Sequence, residues 1–272
     1  MNTWEIKVLH YGKATLPKSV LTPGFDQDLV IDIPYLGFLL RNGERNLLVD
    51  TGISDKYIVN GKTGFGGFPA DAGRKYVLKS LAEAGIEPKE IDTILLTHLH
   101  NDHAGNCDLF ENAMIISQQD DWINLLDPLP LQTVRGEFDM SLIPILRKGE
   151  RFFRIDGDFD FTEGIKLMKT PGHSIGSQSV VVNTKEGIKV IVGDHFHFLC
   201  MAFPFHKEMM DMNGNRIKIT PAPAVYGPSI PSGLIYDYYA YYKSTYKIKS
   251  IISEYRPEYI FTGHDPAHLH CQ

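Results

Sequence analysis

The stretch "THLHNDHAGN", Thr97 to Asn106, sets His98, His100, Asp102 and His103 within six residues, directly behind the apolar run "IDTILL". All four are metal-ligand residue types, and burying so many polar groups together is costly unless an ion or a partner satisfies them. On a helix, positions two apart point to nearly opposite sides, so the HxHxDH spacing differs from a helical zinc pair such as HExxH. On extended backbone, positions two apart share a face, which lets His98 and His100 grip one ion. Asp102 and His103 lie past the turn and can reach a second.

Three later residues share one placement. His173 follows "IKLMKT" through "PG", Asp194 follows "IKVIV" through "G", and His264 follows "YIFT" through "G". Glycine at such a point lets the backbone turn sharply and approach a ligand closely. Together with the first four, these residues supply five imidazoles and two carboxylates, enough for two ions with open positions. That donor set suits zinc, iron, manganese or cobalt, and the lack of thiolate argues against a cysteine-based structural zinc site.

The elements that must position these groups are legible as apolar runs and turn signals. Strands are expected at Leu29 to Leu40 and Asn46 to Gly52, joined by the turn "RNGER". A helix is expected over Asp71 to Ala84, with Val77, Leu78, Leu81 and Ala82 on one face and Gly85 and Pro88 ending it. Further strands are expected at Ala113 to Ser117 and Gly164 to Thr170, then a hairpin over Gln178 to Asp194 turning at Lys185 to Gly187. A tyrosine-rich helix over Tyr236 to Tyr255 and a strand at Glu258 to His264 complete the pattern, which points to mixed sheets covered by helices. The chain reads as a single domain over residues 1–272. The Phe-, Met- and Pro-rich stretch at 196–233 is expected either to form a lid or substrate-pocket insertion or to serve ordinary packing or an oligomer contact, with Asn60 to Gly73 as a second mobile loop.

Composition narrows the classes of function. A net charge of −6 over 272 residues gives no basic stripe for nucleic acid, and 43% hydrophobic content is ample for a core. No apolar run reaches the length of a membrane span, and "MNTWEIKVLHYGK" has no secretory signal pattern, so the expected location is the cytoplasm. Cys107, Cys200 and Cys271 are odd in number and far apart, and are read as buried hydrophobes or idle thiols. His268 and His270, in the tail "AHLHCQ", are expected to do no more than bind metal adventitiously.

From "LLVDTG" to "TGHDP", the chain resembles the metallo-β-lactamase superfamily, whose hydrolases carry HxHxDH and then a later His, Asp and His in this order. The resemblance implies an α+β fold, a four-layer αββα sandwich. It implies that His98, His100 and His173 bind one ion, that Asp102, His103 and His264 bind the other, and that Asp194 bridges them. Asp50 would support the ligand loops from behind. "HLHNDHAGNCDLFENAMIISQQDDW" and "TPGHSIGSQSVVV" are most similar to the N-acyl homoserine lactonases, the quorum-quenching enzymes, and to pyridoxolactonases.

The expected function is therefore a dinuclear, zinc-dependent hydrolase in which a metal-bridged hydroxide opens a lactone ring, an N-acyl homoserine lactone being the first substrate considered. Asp102 would pass a proton to the leaving oxygen. His197 stands three residues after Asp194, where the lactonases have a tyrosine, and would act as acid or oxyanion donor. Hydrolysis of a thioester or other carboxylic ester, as in glyoxalase II-like relatives, is the nearest alternative. A metal-containing binding protein without turnover is a more distant one. β-Lactamase activity is disfavoured because relatives specialised for it usually lack an aspartate at the Asp102 position. Partners beyond a small ester or lactone are limited to a second copy in a homodimer, with neither nucleic acid nor membrane.

Overall fold

The computed structural model describes residues 2–64 and 66–270; Cys271 lies outside the described residues. The first half of the chain runs through β1 (Glu5–Pro17), β2 (Val30–Arg41) and β3 (Asn46–Val49), then a short ribbon of β4 (Ile58–Val59) and β5 (Lys62–Thr63). It continues with β6 (Ala70–Ala72), α1 (Arg74–Glu83), β7 (Thr93–Leu95), the single turn α2 (Asn101–Ala104) and β8 (Met114–Gln118). Three helices, α3 (Gln119–Leu126), α4 (Pro130–Arg135) and α5 (Leu142–Arg147), lead to β9 (Phe152–Ile155). The second half holds β10 (Phe159–Thr162), β11 (Ile165–Lys169), β12 (Gln178–Thr184), β13 (Gly187–Gly193) and α6 (Leu199–Ala202). A ribbon of β14 (Glu208–Met210) and β15 (Arg216–Lys218), the long α7 (Tyr238–Ile251) and β16 (Ile260–Thr262) follow.

Two sheets carry the architecture. The first has the order β6-β1-β2-β3-β7-β8-β9 and the second β10-β11-β12-β13-β16. Antiparallel pairing dominates, but β3, β7, β8 and β9 run parallel, as do β13 and β16. Leu36, Phe38 and Leu40 of β2 pack with Leu167, Val180 and Val182 of the opposite sheet, while Leu39 turns to the other face and joins Val77 and Leu81 of α1. Strands buried on both faces read as continuous apolar runs. On the far side of the second sheet, Val190 and Val192 share a core with Tyr241 and Ile248 of α7. The result is the expected α+β arrangement, with two sheets face to face and helices outside each.

Several expectations need correction. The helix expected from Asp71 begins at Arg74, because 70–72 pair with β1 as an edge strand and Gly73 sits at a φ of +108°. Its buried face is Val77, Ser80 and Leu81; Leu78 is 40% exposed, and Ala82 is exposed as well. The helical repeat of 3.6 carries the inward stripe past 78 and 82. The tyrosine-rich helix covers only Tyr238–Ile251, capped by Asp237, whose carboxylate accepts the Ala240 N–H. Strand β1, the longest in the molecule's described residues, was not anticipated; it bulges between His10 and Lys13, which disrupts its alternation. His268 is no adventitious ligand. It is buried against Phe38 and Phe261, and its Nε2 accepts the Thr262 N–H.

Candidate metal centre

The seven residues expected to bind metal converge where the ends of both sheets meet. His98, His100 and His173 form one group of ligand atoms, and Asp102, His103, Asp194 and His264 form a second. Asp194 lies between them. Its Oδ1 is 3.3 Å from His103 Nε2 and 3.2 Å from His264 Nε2, while Oδ2 is 3.7 Å from His173 Nε2. Close approach at the strand ends depends on glycine. Gly193 adopts a φ of +52°, and a side chain on Gly263 would collide with Asp194 Oδ1 at 2.4 Å.

Four of these five imidazoles are oriented from behind. His103 Nδ1 donates to Asp50 Oδ2 at 2.8 Å, His173 Nδ1 to the Leu234 carbonyl at 2.9 Å, and His264 Nδ1 to the Pro34 carbonyl at 2.9 Å. Carbonyls and carboxylates only accept, so these rings carry their proton on Nδ1 and turn the Nε2 lone pair inward. The Thr97 hydroxyl donates to Asp50 Oδ2, which leaves its oxygen to accept from His98 Nδ1 at 3.1 Å. His100 is turned the other way: Nδ1 faces His173 Nε2 at 3.1 Å, and Nε2 faces Glu137 Oε2 at 3.5 Å.

The donor set fits a pair of ions on the structure's own terms. His98 Nε2, His103 Nε2 and Asp194 Oδ1 are buried with no hydrogen-bond partner, a state that costs on the order of 1–3 kcal/mol per group unless something fills it. Electrostatics divides the site. Burial, reinforced by neighbouring rings, holds His98 and His100 well below the usual histidine range, and burial takes His173 down to about 3, so that side offers neutral imidazoles. On the other side burial also opposes charge on His103 and His264, but the carboxylates of Asp194 and Asp102 outweigh it and push both up. Burial likewise opposes the charge on Asp194, yet the surrounding histidines hold its carboxyl well below the usual range. That concentration of carboxylate is what a cation would neutralise.

Two supports escaped the sequence reading. Buried Asp121 accepts from the Leu99 N–H and the Ser174 hydroxyl, tying the residue between two ligands of one loop to the residue after His173. Glu137 accepts from the Tyr236 hydroxyl at 2.5 Å, and its backbone carbonyl takes the Asn101 N–H at 2.7 Å. Nothing local distinguishes either acid, since each acts through a contact distant in sequence. Asp50, which the sequence did single out, accepts from Thr97 N–H and Oγ1–H as well as from His103. It does so at a φ of +60°, a left-handed conformation that aspartate tolerates better than most residues.

A cavity opens over the two groups, with His100, Asp102, His173, Asp194, His197 and His264 exposed to it. Its wall combines apolar Leu16, Val20, Leu21, Ile33 and Phe68 with polar Asn101, Arg135 and Glu137. The turn bearing Val20 and Leu21 is pinned by buried Lys18, whose ammonium pairs with Asp26 at 2.8 Å. Tyr35 also lines the cavity, edge-on to His264, and burial together with Asp102 and Asp194 keeps its phenol protonated. Of the stretch 196–233, His197 reaches this wall, whereas Phe196, Phe198 and Met201 are fully buried in the core. The wall is built instead by the N-terminal turns, by Thr63 of β5 and by Gly64 and Phe68 after it. His195 faces away from the site. It is stacked on Tyr241, with Nε2 2.9 Å from Thr245 Oγ1.

The family model of the metallo-beta-lactamase superfamily matches residues 34–264. The N-acyl homoserine lactonase AiiA of Bacillus thuringiensis subsp. kurstaki is 30% identical over 181 residues, covering 64% of this chain and 66% of that protein, so the chain spans just under two thirds of that relative's length. An N-acyl homoserine lactonase of Bacillus cereus is 30% identical over 184 residues, 65% of this chain and 68% of that one. Among solved structures, an N-acyl homoserine lactone hydrolase with the product N-hexanoyl-L-homoserine at its catalytic metal center superposes with a TM-score of 0.75 at 23% identity, covering 100% of this chain and 98% of that one. At that identity the likeness is one of fold.

Proposed function

Since its residues 34–264 match that family model, the chain belongs to the metallo-beta-lactamase superfamily, and we propose that it is a dinuclear metal-dependent hydrolase opening a lactone ring, with an N-acyl homoserine lactone as the first substrate to test. The observation that carries this reading is the pair of ligand groups meeting at Asp194 beneath a cavity whose wall is largely apolar. Lactonases of Bacillus are among its relatives in sequence.

Two divalent ions, zinc being the first choice for imidazole with carboxylate, would supply Lewis acidity and hydroxide at neutral pH. The protein's own groups do the rest. Asp50, Asp121 and Glu137 hold the ligand loops so that the inward nitrogens are in place before substrate arrives. Leu16, Val20, Leu21 and Phe68 offer an acyl chain a surface from which water is excluded. Asp102 is the least buried of the seven, at 24% side-chain exposure, and lies 3.5 Å from His264. From there its carboxylate can take the proton of the hydroxyl group that has added to the carbonyl and pass it to the alkoxide oxygen that leaves as the ring opens. Tyr35, held protonated, gives the same cavity an O–H group.

The test is acid release from a panel of short- and long-chain acyl homoserine lactones and simple γ-lactones, using metal-loaded protein with His98→Ala as control. Metal-dependent opening that the variant loses is the expected result. Silence from protein shown to hold two ions overturns the lactonase reading, and activity on thioesters under the same conditions would put that class of ester in its place.

A further inference from the structure

His197 is the one imidazole at the site whose ring nitrogens both lack a hydrogen-bond partner, although the ring is 1% exposed. Its Nε2 lies 3.1 Å from Asp194 Oδ2, close enough for a hydrogen bond, yet the N–H direction does not serve one. The same signature marks His103 Nε2 and Asp194 Oδ1, which sit 3.3 Å apart and are likewise left without a hydrogen-bond partner. Ligand-type atoms this close that do not bond each other remain free to share one ion. His197, His173 and Asp194 also meet as a ligand-type group in their own right, with their atoms within 4.8 Å of one another. The ring is fixed by packing, edge-on to His173 at 5.3 Å and stacked on His264 at 5.7 Å.

We infer that His197 is an eighth metal ligand, joining His173 and Asp194 Oδ2 around one ion through Nε2. This assignment replaces the proton-donor role suggested by its position in the sequence, and it rests on reading the site as a two-ion centre. The backbone explains why the residue can do this. Residues 194–198 form a turn, not a strand, so residue 197 folds back over Asp194 while His195 points to α7. Unlike His98, His103, His173 and His264, His197 has no protein acceptor hydrogen-bonded behind it, so neither tautomer is locked.

The inference is tested by metal binding, separately from hydrolysis. His197→Phe keeps an aromatic ring in the stack and is expected to lose at least tenfold in affinity for one of the two zinc ions, measured by competition with a chromophoric chelator. Visible absorption of its cobalt-loaded form should also differ from that of the unmodified protein. Unchanged affinity and an unchanged cobalt spectrum overturn the proposal. On the unmodified protein, a zinc-loaded crystal structure should place Nε2 at about 2.0–2.1 Å from an ion, and a separation beyond about 3 Å overturns it whatever the variant does. Failure of the unmodified protein to bind two ions would strike the dinuclear reading itself, whereas a silent lactone panel leaves this inference intact.

Discussion

The turn from Thr97 to His103 and the turn from Asp194 to His197 bring ligand-type side chains to the same cavity, but they are held in different ways. The first is laced to the protein: Asp50 takes Thr97 and His103, Asp121 takes the Leu99 N–H, and the strip around Glu137 pairs with His100 and Asn101. In the second, the Asp194 carboxylate has the surrounding imidazoles near its oxygens, and the His197 ring has other rings and that same carboxylate. One turn is built without an ion; the other would be completed by one. A metal centre thus has a rigid half, with its cost met in folding, and a half whose buried polar atoms stay unsatisfied until binding.

The largest effect should come from the second turn. Asp194→Ala removes the side chain that both ligand groups touch, and hydrolysis should fall by roughly 10²–10³-fold or more, the scale of losing a main electrostatic group at a reacting centre. Elemental analysis should find fewer than two ions per chain, and retention of both would break the contrast. The next effect belongs to the first turn. Asp50→Asn leaves His103 without a charged acceptor and should weaken metal affinity or turnover by about 10–100-fold, with an unchanged circular dichroism spectrum; unaltered affinity would mean that packing alone holds the turn.

A smaller effect sharpens the link between the two sheets. Ser174→Ala deletes the hydroxyl donated to Asp121 and should lower unfolding stability by about 1 kcal/mol in urea titrations, with both ions still bound. Smallest of all, Tyr239→Ser on the outer face of α7, where the side chain is 86% exposed, should stay within about ±0.5 kcal/mol of the unmodified protein.

The rigid half is also where the sequence was most informative. HxHxDH is local, and the alternation of an extended segment already dictates that His98 and His100 act together. The later ligand-type residues were legible because each follows an apolar strand by one glycine; Gly263 brings the chain closer to Asp194, and Gly193 closer to Thr97, than a side chain would allow. What escaped were contacts made across long stretches of sequence. Asp121 sits in an ordinary helix start, Glu137 after a glycine turn, and Tyr35 inside a run of core residues, so neither periodicity nor spacing singles them out. His268 misled for the opposite reason: HxH at the chain end resembles a ligand pair, but burial against Phe38 and Phe261 makes it a core acceptor. The 196–233 stretch has the composition of a lid, yet Phe196, Phe198 and Met201 use their apolar surface in the core.

Asp102 and His103 follow a strand of the first sheet, and Asp194 and His264 follow strands of the second. An ion gripped by all four is a clasp between the two halves of the chain, a reversible cross-link closing long loops that an unfolding chain would otherwise be free to open. Protease susceptibility should then follow the supply of metal, because cleavage samples the opened state and bound ions deplete it. The lifetime of this protein in a metal-starved cell would be set by the ions it can find as much as by its hydrophobic core.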